Sequence, residues 1–502
     1  MAVDAPAVLP PQQASKEIVQ SASTGSAYQL TFQDFTLHVV DDTLLDQESA
    51  AQAIAEAQDL SAAVRALGNA AYLKGYPSAK LSYARDGQNV FILVKSEPVV
   101  SLTAPDLIAP YFERMDMGDI RDTDLEPRRV LANLHSERAG KNYSASAENG
   151  ELAFRERDSE GDQTDFYIEF GNPGNRFVGR HFLDGMARFS TQSGAEFKGF
   201  ARTALSGLND DAQSEDFDEF VLSASQVTPH GVIALALHRV TYDQVVLNTP
   251  LDAELLEGEF TWLYPVFASF SSRLATLFKV EHTHKETEIR AGGQLVQEEP
   301  YTSVELGLGY SKAWLPRSYK IELETNLAVK QGLGDDSEPL TVSDLGYLLV
   351  RPLVRGRFLT DGHTFSMDLL GQWSEDPVPE QQQWVLGGDG SLYASLPGLA
   401  VGDSGAVARL QYEPPSLELG WMDVGLKAFT EYGVTRFESS VGGIRDTGSK
   451  SQTDVGGEVE FNFPWGLEAA IGSAVEVDTS GLSRAEERAA DANYYFRVRM
   501  SF

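Results

Sequence analysis

From about residue 164 onward, apolar and polar residues alternate in long segments that turn residues separate. In segment 417–434, one face carries Met422, Val424, Leu426, Ala428, Thr430 and Tyr432, and the other carries Asp423, Lys427, Phe429 and Glu431. An alternation of period two predicts a β-strand. Because the charges lie on one face only, the other face suits the hydrocarbon of a bilayer. The pattern therefore indicates the wall of a transmembrane barrel with a polar lumen.

Sixteen segments have this pattern. They are 164–172, 177–190, 195–206, 217–228, 232–245, 258–268, 272–288, 301–314, 318–332, 345–359, 363–375, 404–413, 417–434, 451–463, 466–479 and 492–502. Single-chain bacterial barrels have an even number of antiparallel strands. The sequence therefore predicts an all-β transmembrane 16-stranded antiparallel barrel over residues 163–502.

The lengths of the connections between these segments alternate, which supports the same interpretation. The short connections are 229–231, 269–271, 315–317, 360–362, 414–416 and 464–465, and the long polar ones lie near 207–216, 246–257, 289–300, 333–344, 376–403, 435–450 and 480–491. Outer-membrane barrels have short periplasmic turns and long external loops. This parity places both ends of the barrel on the periplasmic side.

The first third of the chain has a mixed pattern. Residues 28–97 predict a small α+β domain with a strand at 28–40, helices at 44–57 and 60–74, and strands at 79–85 and 90–95. Residues 98–162 predict a second, more diverged copy with a helix at 125–134 and a hairpin of 143–148 and 150–157. Residues 1–27 are rich in Ala, Pro, Ser and Gln, which predicts a flexible arm with one weak helical turn near 15–20.

Charge and composition exclude several classes of function. The chain has 40 Lys and Arg against 74 Asp and Glu, a formal net charge of −34, so its surface repels phosphate backbones and no nucleic-acid partner is expected. The absence of cysteine excludes disulfide scaffolds, thiolate metal sites and cysteine nucleophiles. The sequence contains no apolar stretch of about 18 residues, so it predicts no transmembrane helix. Residues 1–27 lack the basic region and apolar core of a signal peptide, so we expect an exported chain in mature form, or one with an added Met1.

The end of the second predicted helix carries a first resemblance. Tyr72, Gly75 and Tyr76 stand where this helix stops and a strand follows, and glycine suits such a stop because it tolerates positive φ. The stretch 67–99 resembles the POTRA domain, a periplasmic polypeptide-binding module attached to a class of outer-membrane barrels. The alternative is an unrelated small α+β domain.

The long connection between the eleventh and twelfth predicted strands carries a second resemblance. Its matching residues are Leu386, Gly387, Gly388, Ser391, Leu392, Gly402, Asp403, Gly405, Arg409 and Glu413. This segment, with its loop at about 386–403, resembles the sixth external loop of two-partner secretion transporters, the hemolysin secretion/activation family of POTRA-bearing barrels. Phe429, Glu431 and Gly433 match the family's Phe-x-Asp-x-Gly strand motif, with Glu431 in place of Asp. The resemblance spans nearly the whole chain from residue 28; the alternative is an ordinary glycine-rich loop.

The sequence departs from the family at the tip of this loop. Family members carry an aliphatic-Arg-Gly-aromatic tetrapeptide whose Arg pairs with the strand carboxylate inside the lumen. The tetrapeptide aligns here with Leu392, Tyr393, Ala394 and Ser395, so Tyr393 occupies the Arg position. Loss of one partner of a buried ion pair strands the other charge. We therefore expect that the Tyr393 hydroxyl donates to Glu431, that Arg409 or Lys427 supplies the cation, or that the loop of a divergent transporter is held differently.

The last predicted strand also carries a recognisable pattern. Its apolar face consists of Tyr494, Phe496, Val498, Met500 and Phe502. An alternating last strand that ends in Phe resembles the signal by which the barrel-assembly machinery recognises outer-membrane substrates. The resemblance implies that machinery as a partner during biogenesis.

Other candidate sites are weaker. His282 and His284 share one face of a strand, but without a third ligand nearby a structural role is expected. The acidic run 210–219 lacks the spacing and the glycine of an EF-hand, so it predicts a solvated loop. No Ser-His-Asp set or carboxylate pair occupies a catalytic context. We therefore expect no metal, no cofactor and no enzymatic activity.

The resemblance implies a protein of the bacterial outer membrane, embedded in its lipids, with the N-terminal domains in the periplasm. It implies secretion of an unfolded partner protein, a large β-helical exoprotein, to the cell surface without nucleotide hydrolysis. The POTRA-like domains would bind the substrate as an added strand, and loop six would gate the lumen. A rival function is a barrel-assembly or insertion factor that acts through a seam between strands one and sixteen, and a third is a passive pore. Whether residues 1–27 plug the barrel is open at this point.

Overall fold

A computed structural model shows the architecture of the chain. It describes residues 12–13, 26–40, 44–55, 57–157, 163–174, 179–205, 208, 216–246, 249–315, 319–334, 344–388, 390–438, 447–492 and 494–502. The chain divides into two compact units: one comprises Met1–Gly161, Gln192–Gly194 and Pro265–Arg273, and the other Asp162–Thr191, Ala195–Tyr264 and Leu274–Phe502. The weak helical turn predicted at 15–20 lies outside the described residues.

The first module of the N-terminal unit is a five-stranded sheet with two helices. Its elements are β1 (Gln12–Gln13), β2 (Ser26–Phe32), β3 (Phe35–Val40), α1 (Gln47–Ile54), α2 (Leu60–Leu73), β4 (Ala79–Asp86) and β5 (Asn89–Ser96), and the sheet order is β1-β4-β5-β3-β2. Each helix begins after an aspartate, Asp46 or Asp59, whose carboxylate accepts a hydrogen bond from a backbone N–H of the first turn. Leu37, Leu67 and Ile92 are fully buried between the sheet and the helices.

One predicted strand of this module was wrong. Segment 28–40 is a hairpin, because β2 and β3 pair antiparallel around Gln33, which has a φ of 52°. Two polar residues form the whole turn, which is too short to interrupt a period-two pattern. The alternation therefore predicted one continuous strand across the turn.

The second module is smaller. It contains β6 (Ser101–Thr103), a 3-10 turn (Ala109–Tyr111), α3 (Asp122–Arg138), β7 (Asn142–Glu148) and β8 (Glu151–Arg157), with sheet order β6-β8-β7. Phe112 stacks on Phe154 with ring centroids 4.5 Å apart, and Leu125 of the helix is also buried. The helix begins earlier than the predicted 125–134, because its first turn contains Asp122 and Asp124, which favour a helix N-terminus but carry no apolar pattern.

The second unit is a closed antiparallel barrel. Its strands are β9 (Thr164–Gly171), β10 (Phe182–Ser190), β11 (Ala195–Ala204), β12 (Phe217–Thr228), β13 (Gly231–Val246), β14 (Thr249–Ala268), β15 (Ser272–Ile289), β16 (Gln294–Trp314), β17 (Lys320–Gly332), β18 (Leu348–Thr360), β19 (His363–Gln372), β22 (Ser404–Glu413), β24 (Asp423–Arg436), β25 (Lys450–Asn462), β26 (Leu467–Ser480) and β27 (Tyr495–Ser501). A two-residue strand, β23 (Leu417–Glu418), also pairs with β24. Across the described residues the predicted sixteen strands are confirmed, and β27 pairs with β9 to close the ring.

The two faces of the barrel wall differ in polarity. On β13 the side chains of Leu235 and Leu237 are each 60% exposed, whereas on β15 Thr283, Lys285 and Thr287 are buried. Large exposed apolar side chains on one face fit lipid, and polar side chains on the other face form the lumen. The wall thus has the polarity of a membrane-spanning barrel. In the parts of the chain that are described, no helix has the length and hydrophobicity to cross a membrane.

Two of the long loops predicted from polarity were wrong. The connection near 246–257 is largely strand, since β13 extends to Val246 and β14 begins at Thr249. The connection near 289–300 is a tight hairpin between Ile289 and Gln294. Beyond the bilayer both faces of a strand meet water, so pairing of the backbone continues without apolar alternation. The sequence pattern marks only the part of each strand that meets lipid.

Two further elements in the external loops were not predicted. Loop six contains a small ribbon of β20 (Trp384–Leu386) and β21 (Ala400–Gly402). The last loop contains α4 (Arg484–Ala490), although no helix was expected after residue 164. Its capping box, in which Ser483 and Glu486 bond each other's backbone N–H, was readable in the sequence.

Candidate functional site

Loop six, the connection between β19 and β22, folds into the barrel unit as a compact structure. Leu386 and Leu392 are buried in one apolar cluster with Val407 of the wall. Gly387 has a φ of +99°, and a Cβ placed there would lie 2.0 Å from the Leu396 carbonyl oxygen. Gly388 has a φ of +87° and would meet Pro397 in the same way. These two glycines are needed because the loop turns back on itself with no space for a side chain.

The tip of the loop donates hydrogen bonds to carboxylates of the barrel wall. The Tyr393 backbone N–H donates to Glu431 on β24 at 2.7 Å, and the Ala394 N–H donates to Asp454 on β25 at 2.9 Å. The Tyr393 hydroxyl donates to Glu458 on β25 at 2.5 Å. Uncharged donors of the loop thus meet three acidic side chains of the lumen.

Ser395 completes this contact. Its hydroxyl oxygen accepts a bond from the Gln452 side chain at 2.7 Å, and its carbonyl accepts one from the Tyr495 hydroxyl at 2.6 Å. We call this arrangement the tip anchor. It consists of Tyr393, Ala394 and Ser395 on the loop, and Glu431, Gln452, Asp454, Glu458 and Tyr495 on the wall.

Arg409 of β22 supplies the cation for Glu431. Its Nε donates to Glu431 at 2.5 Å, and the Glu431 side chain is 0% exposed. Lys427, the other cation considered, instead donates to Glu458 at 3.0 Å and to Glu460 at 2.5 Å. The prediction that the Tyr393 hydroxyl bonds Glu431 was wrong, because the hydroxyl extends past that carboxylate to Glu458. Arg409 and Glu431 lie opposite each other on paired strands, which the sequence alone does not determine.

The Tyr393 ring packs as tightly as its backbone. Its centroid lies 4.9 Å from the Phe429 ring and 4.9 Å from the Tyr495 ring. A Cβ on Gly472 of the wall would lie 2.8 Å from the Tyr393 ring. Tyr393 is 9% exposed, so this side chain lies inside the barrel rather than in external solvent.

The remaining motif residues hold the base of the loop. Gly433 faces the loop leucines, and a Cβ there would lie 3.0 Å from both Leu386 and Leu392. Asp403 is fully buried; its two carboxylate oxygens accept the backbone N–H groups of Val378 and Glu438, each at 3.0 Å. Gly402 lies against the wall, where a Cβ would approach the Arg436 carbonyl to 2.4 Å.

A second contact holds the part of loop six that follows β19, and the sequence analysis did not predict it. The 3-10 turn Glu380–Gln382 places Glu380 in an ion pair with Lys285 of β15. The Gln382 side-chain oxygen accepts from Lys330 of β17 at 3.1 Å and from Arg351 of β18 at 2.9 Å. We call these five residues the limb anchor. The signal in the sequence was the pair Lys285 and Lys330, which occupy lumen-facing positions of two alternating strands.

The last external loop covers the tip anchor. The Leu396 N–H donates to the Ala490 carbonyl at the end of α4 at 2.6 Å, and the Ala492 N–H donates to the Ala394 carbonyl at 3.0 Å. Glu486 of α4 accepts from Lys450 at 2.8 Å, and this bond, with those from Ser483, lowers the pKa of Glu486 to about 2. Loop six is therefore held from the wall and from its neighbouring loop.

The POTRA-like signature residues lie at a join within the N-terminal unit. Tyr72 is buried in α2, and Gly75 follows the helix with a φ of +94°. A Cβ on Gly75 would lie 2.5 Å from Asp122 at the start of α3, and the Asp122 N–H donates to the Gly75 carbonyl at 3.0 Å. The Arg121 guanidinium lies 3.7 Å from the Tyr76 ring centroid. The glycine is thus fixed by close approach of the second module as well as by its φ.

The C-terminal strand forms the seam of the barrel. β27 pairs with β9 from Arg497–Gly171 to Ser501–Tyr167. The buried Asn172 side chain bridges the same seam, since it accepts from the Phe496 N–H at 2.6 Å and donates to the Tyr494 carbonyl at 2.9 Å. The apolar face of this strand is partly exposed, with Val498 at 39% and Phe502 at 68%. Phe496 and Met500 are intermediate in exposure.

The histidine pair and the acidic run complete the predicted candidates. His282 bonds the Thr302 hydroxyl at 3.0 Å, and His284 bonds Glu286 at 2.7 Å. Residues 210–215 of the acidic run lie outside the described residues.

Comparisons with solved structures place this architecture among known barrels. CdiB from Escherichia coli superposes with a TM-score of 0.68 and 14% identity, over 97% of this chain and 95% of that one. The chain has the CdiB fold. CdiB from Acinetobacter baumannii gives a TM-score of 0.63 at 12% identity, over 93% of this chain and 89% of that one. The fold expected from the resemblance to POTRA-bearing barrels is thereby confirmed.

The assembly protein BamA is a more distant structural neighbour. BamA from Haemophilus ducreyi, lacking POTRA domains 1–3, gives a TM-score of 0.50 at 12% identity, over 95% of this chain and all of that one. No family model and no curated protein matches the sequence.

Proposed function

We propose that this chain is an outer-membrane pore of the two-partner secretion type, which passes an unfolded protein from the periplasm to the cell surface. The observation that carries the proposal is the likeness to CdiB, a two-partner secretion transporter, over the N-terminal modules as well as the barrel. The structural neighbours are transport and assembly proteins rather than enzymes, in line with the absence of a catalytic set in the sequence.

In this proposal the N-terminal modules are POTRA-like domains that bind the substrate in the periplasm. Their sheets end in outer strands, β2 in the first and β6 and β7 in the second. An outer strand presents backbone N–H and C=O groups that pair with an extended chain. At the opposite edge of the first sheet, β1 of this chain already pairs with β4 in parallel, from Gln12–Ser82 to Gln13–Tyr83. This pairing supports the proposal that an edge of the first sheet binds an extended segment of a substrate.

Loop six is the proposed gate. The tip anchor and the limb anchor hold it against different strands of the wall, β24 to β27 on one side and β15 to β18 on the other. A substrate that passes through the lumen must displace a loop that is fixed at both sites. The driving force in this proposal is folding of a large β-helical exoprotein outside the cell, since no nucleotide is needed.

Deletion of the gene tests the proposal. We expect one large protein to disappear from the growth medium of the deletion strain, and the composition of the outer membrane to stay unchanged. Complementation with the intact chain should restore that protein. A change in many outer-membrane proteins without loss from the medium would contradict secretion and support barrel assembly.

A barrel-assembly factor is the second candidate, because BamA shares the fold and because the seam between β9 and β27 is short. Paired cysteines at Phe170 and Val498, which are opposite each other, would lock the seam in a chain that has no other cysteine. If substrate passes through the lumen, secretion should continue with the seam oxidised. Loss of function that a reductant reverses would favour the assembly role. Paired cysteines at Val424 and Phe461 within the continuous wall are the matched control.

A further inference from the structure

The external hairpin of β15 and β16 brings together three side chains that the proposed function does not use. They are His284 and Glu286 of β15 and Glu298 of β16, and their ligand atoms all lie within 4.8 Å of one another. The sequence showed only the two histidines, His282 and His284, and no third ligand. In the structure the neighbouring strand β16 supplies Glu298 as the third ligand beside His284 and Glu286, since β15 and β16 are adjacent in the barrel.

The cluster lies on the outer face of the wall. His284 and Glu286 alternate with the buried Thr283, Lys285 and Thr287, which face the lumen, and their side chains are 37% and 43% exposed. β15 has 18 residues, whereas about 9–11 cross a bilayer. With a rise of about 3.3 Å per residue and a tilt near 45°, His284 lies roughly 30 Å above the turn at 269–271, beyond an apolar band of about 25 Å. These ligands therefore meet water rather than lipid.

The charges of the cluster favour a bound cation. Two carboxylates, Glu286 and Glu298, lie close enough to repel each other, and a cation between them removes that repulsion. The contrast is a second group of carboxylates in the lumen, Glu257, Glu259 and Glu281. Lys279 contacts two of these at 2.6 Å and 3.0 Å, and Lys330 contacts Glu281 at 2.6 Å. Two lysines thus already occupy positions between the carboxylates of that lumen group, which contains no imidazole, so it is the weaker candidate for a transition metal.

We propose that His284, Glu286 and Glu298 bind a divalent transition-metal ion of the zinc type at the cell-surface end of the barrel. One imidazole nitrogen and two carboxylate oxygens are ligands that Zn²⁺ accepts, and three protein ligands leave a fourth position for water or for a group of another molecule. The His284 Nε2 and the Glu286 carboxylate, now 2.7 Å apart, would separate by a few tenths of an ångström to coordinate one ion. The metal would join β15 to β16 where the hairpin leaves the membrane. This inference does not depend on secretion, so it can fail or hold by itself.

Zinc titration of the purified full chain in detergent tests the site. Calorimetry and competition with a chromophoric chelator should show one Zn²⁺ per chain. His284→Ala and Glu298→Gln should each weaken binding by about 100-fold or more, since even second-shell losses reach that range. His282→Ala is the matched control, because His282 lies on the same face of the same strand but outside the cluster; its binding should equal that of the unmodified chain. Heat-modifiable migration of each variant shows that the barrel is intact.

Replacement of Zn²⁺ by Mg²⁺ or Ca²⁺ separates the proposal from a general attraction of cations to an acidic surface. Those ions prefer oxygen ligands and should bind more weakly and without dependence on His284. Equal zinc binding by the His284→Ala, His282→Ala and unmodified chains would overturn the proposal. So would the absence of stoichiometric zinc binding by a barrel that migrates as folded.

Discussion

The two anchors of loop six differ in the sign of the charges that the wall supplies. At the tip anchor the charged groups of the wall are acidic, and they accept from two backbone N–H groups and one hydroxyl of the loop. Gln452 and Tyr495 of the wall add neutral donors to Ser395. At the limb anchor the wall supplies the cations Lys285, Lys330 and Arg351, and the loop supplies a carboxylate and an amide. The ion pair between loop and wall, Glu380 with Lys285, therefore lies at the limb anchor, which contains none of the motif residues.

This difference accounts for a charged partner at Glu431 although the loop-tip arginine that the family resemblance implies is absent. Glu431 would be a stranded buried charge if its cation had to come from the loop. Arg409, directly opposite on the neighbouring strand, supplies that cation from the wall. In the proposed gating step, the tip would leave the lumen without separating an ion pair, because its bonds join neutral donors to charged acceptors. The limb must separate Glu380 from Lys285.

The largest effect should follow Glu431→Ala. The substitution removes the acceptor of both the Arg409 guanidinium and the Tyr393 N–H in a fully buried position, and breaking such a pair costs about 3–5 kcal/mol. We expect a lower temperature of unfolding on semi-native gels and a higher pore conductance in planar bilayers. Glu196→Ala is the control, because Glu196 pairs with Arg188 of β10 and Lys198 of β11, and neither cation belongs to an anchor of loop six. Equal conductance changes in both variants would show that Glu431 does not hold the loop.

The limb anchor should respond unequally to loss of its two partners. Lys285 is 2% exposed and Glu380 is 53% exposed. Glu380→Ala leaves a buried ammonium group, so we expect a loss of about 2 kcal/mol, whereas Lys285→Met leaves a carboxylate that water solvates and should cost about 1 kcal/mol or less. Both should raise conductance. Denaturant unfolding measures the order, and a larger loss for Lys285→Met would contradict the assigned burial.

Combination of the two anchors tests whether they act as one lock. If the loop leaves both together, Glu431→Ala and Glu380→Ala should be non-additive in conductance, because either one already frees the loop. If each anchor holds a separate part of the loop, the two changes in conductance should add.

Tyr393 should be the milder position at the tip. Tyr393→Phe keeps the ring between Phe429 and Tyr495 but removes the bond to Glu458, which retains Lys427, so the loss should be about 1 kcal/mol. Tyr393→Arg should hold the tip more rigidly through Glu458, since a charge-assisted bond is roughly twice as strong as a neutral one. Single-channel recordings should show fewer open events for Tyr393→Arg and more for Tyr393→Phe. The reverse order would place the side chain outside the lumen.

The smallest effect concerns pH. The bond from Lys450, together with the bonds from Ser483, lowers the pKa of Glu486 from an ordinary value of 4.5 to about 2. Its stabilisation of α4 is therefore complete above pH 4.5 and is lost as the pH falls through about 2. The expected contribution is under about 1 kcal/mol because Glu486 is partly exposed. Protease cleavage in 480–491 should rise over this range in the unmodified chain, whereas Glu486→Gln should be cleaved equally throughout.

The barrel was predictable because its strands are defined by local alternation. A strand that separates lipid from a wet lumen must place apolar and polar residues on opposite faces, and the period survives in the sequence whatever its neighbours are. The same reasoning failed at β14 and β16, which begin at Thr249 and Gln294 beyond the lipid, and at the hairpin between β2 and β3. In those places backbone pairing continued or reversed without a change in the pattern.

What the sequence by itself determined was the number of strands and the position of the loop that enters the barrel. Only the tertiary structure decided which charges meet. Arg409 rather than Lys427 pairs with Glu431, and Lys285 meets Glu380 across 95 positions of the chain. Alternation of polarity is a one-dimensional property that a bilayer imposes on each strand separately. Pairing of charges depends on register between strands and on the path of a loop through the lumen, and neither is encoded in the order of residues within one segment.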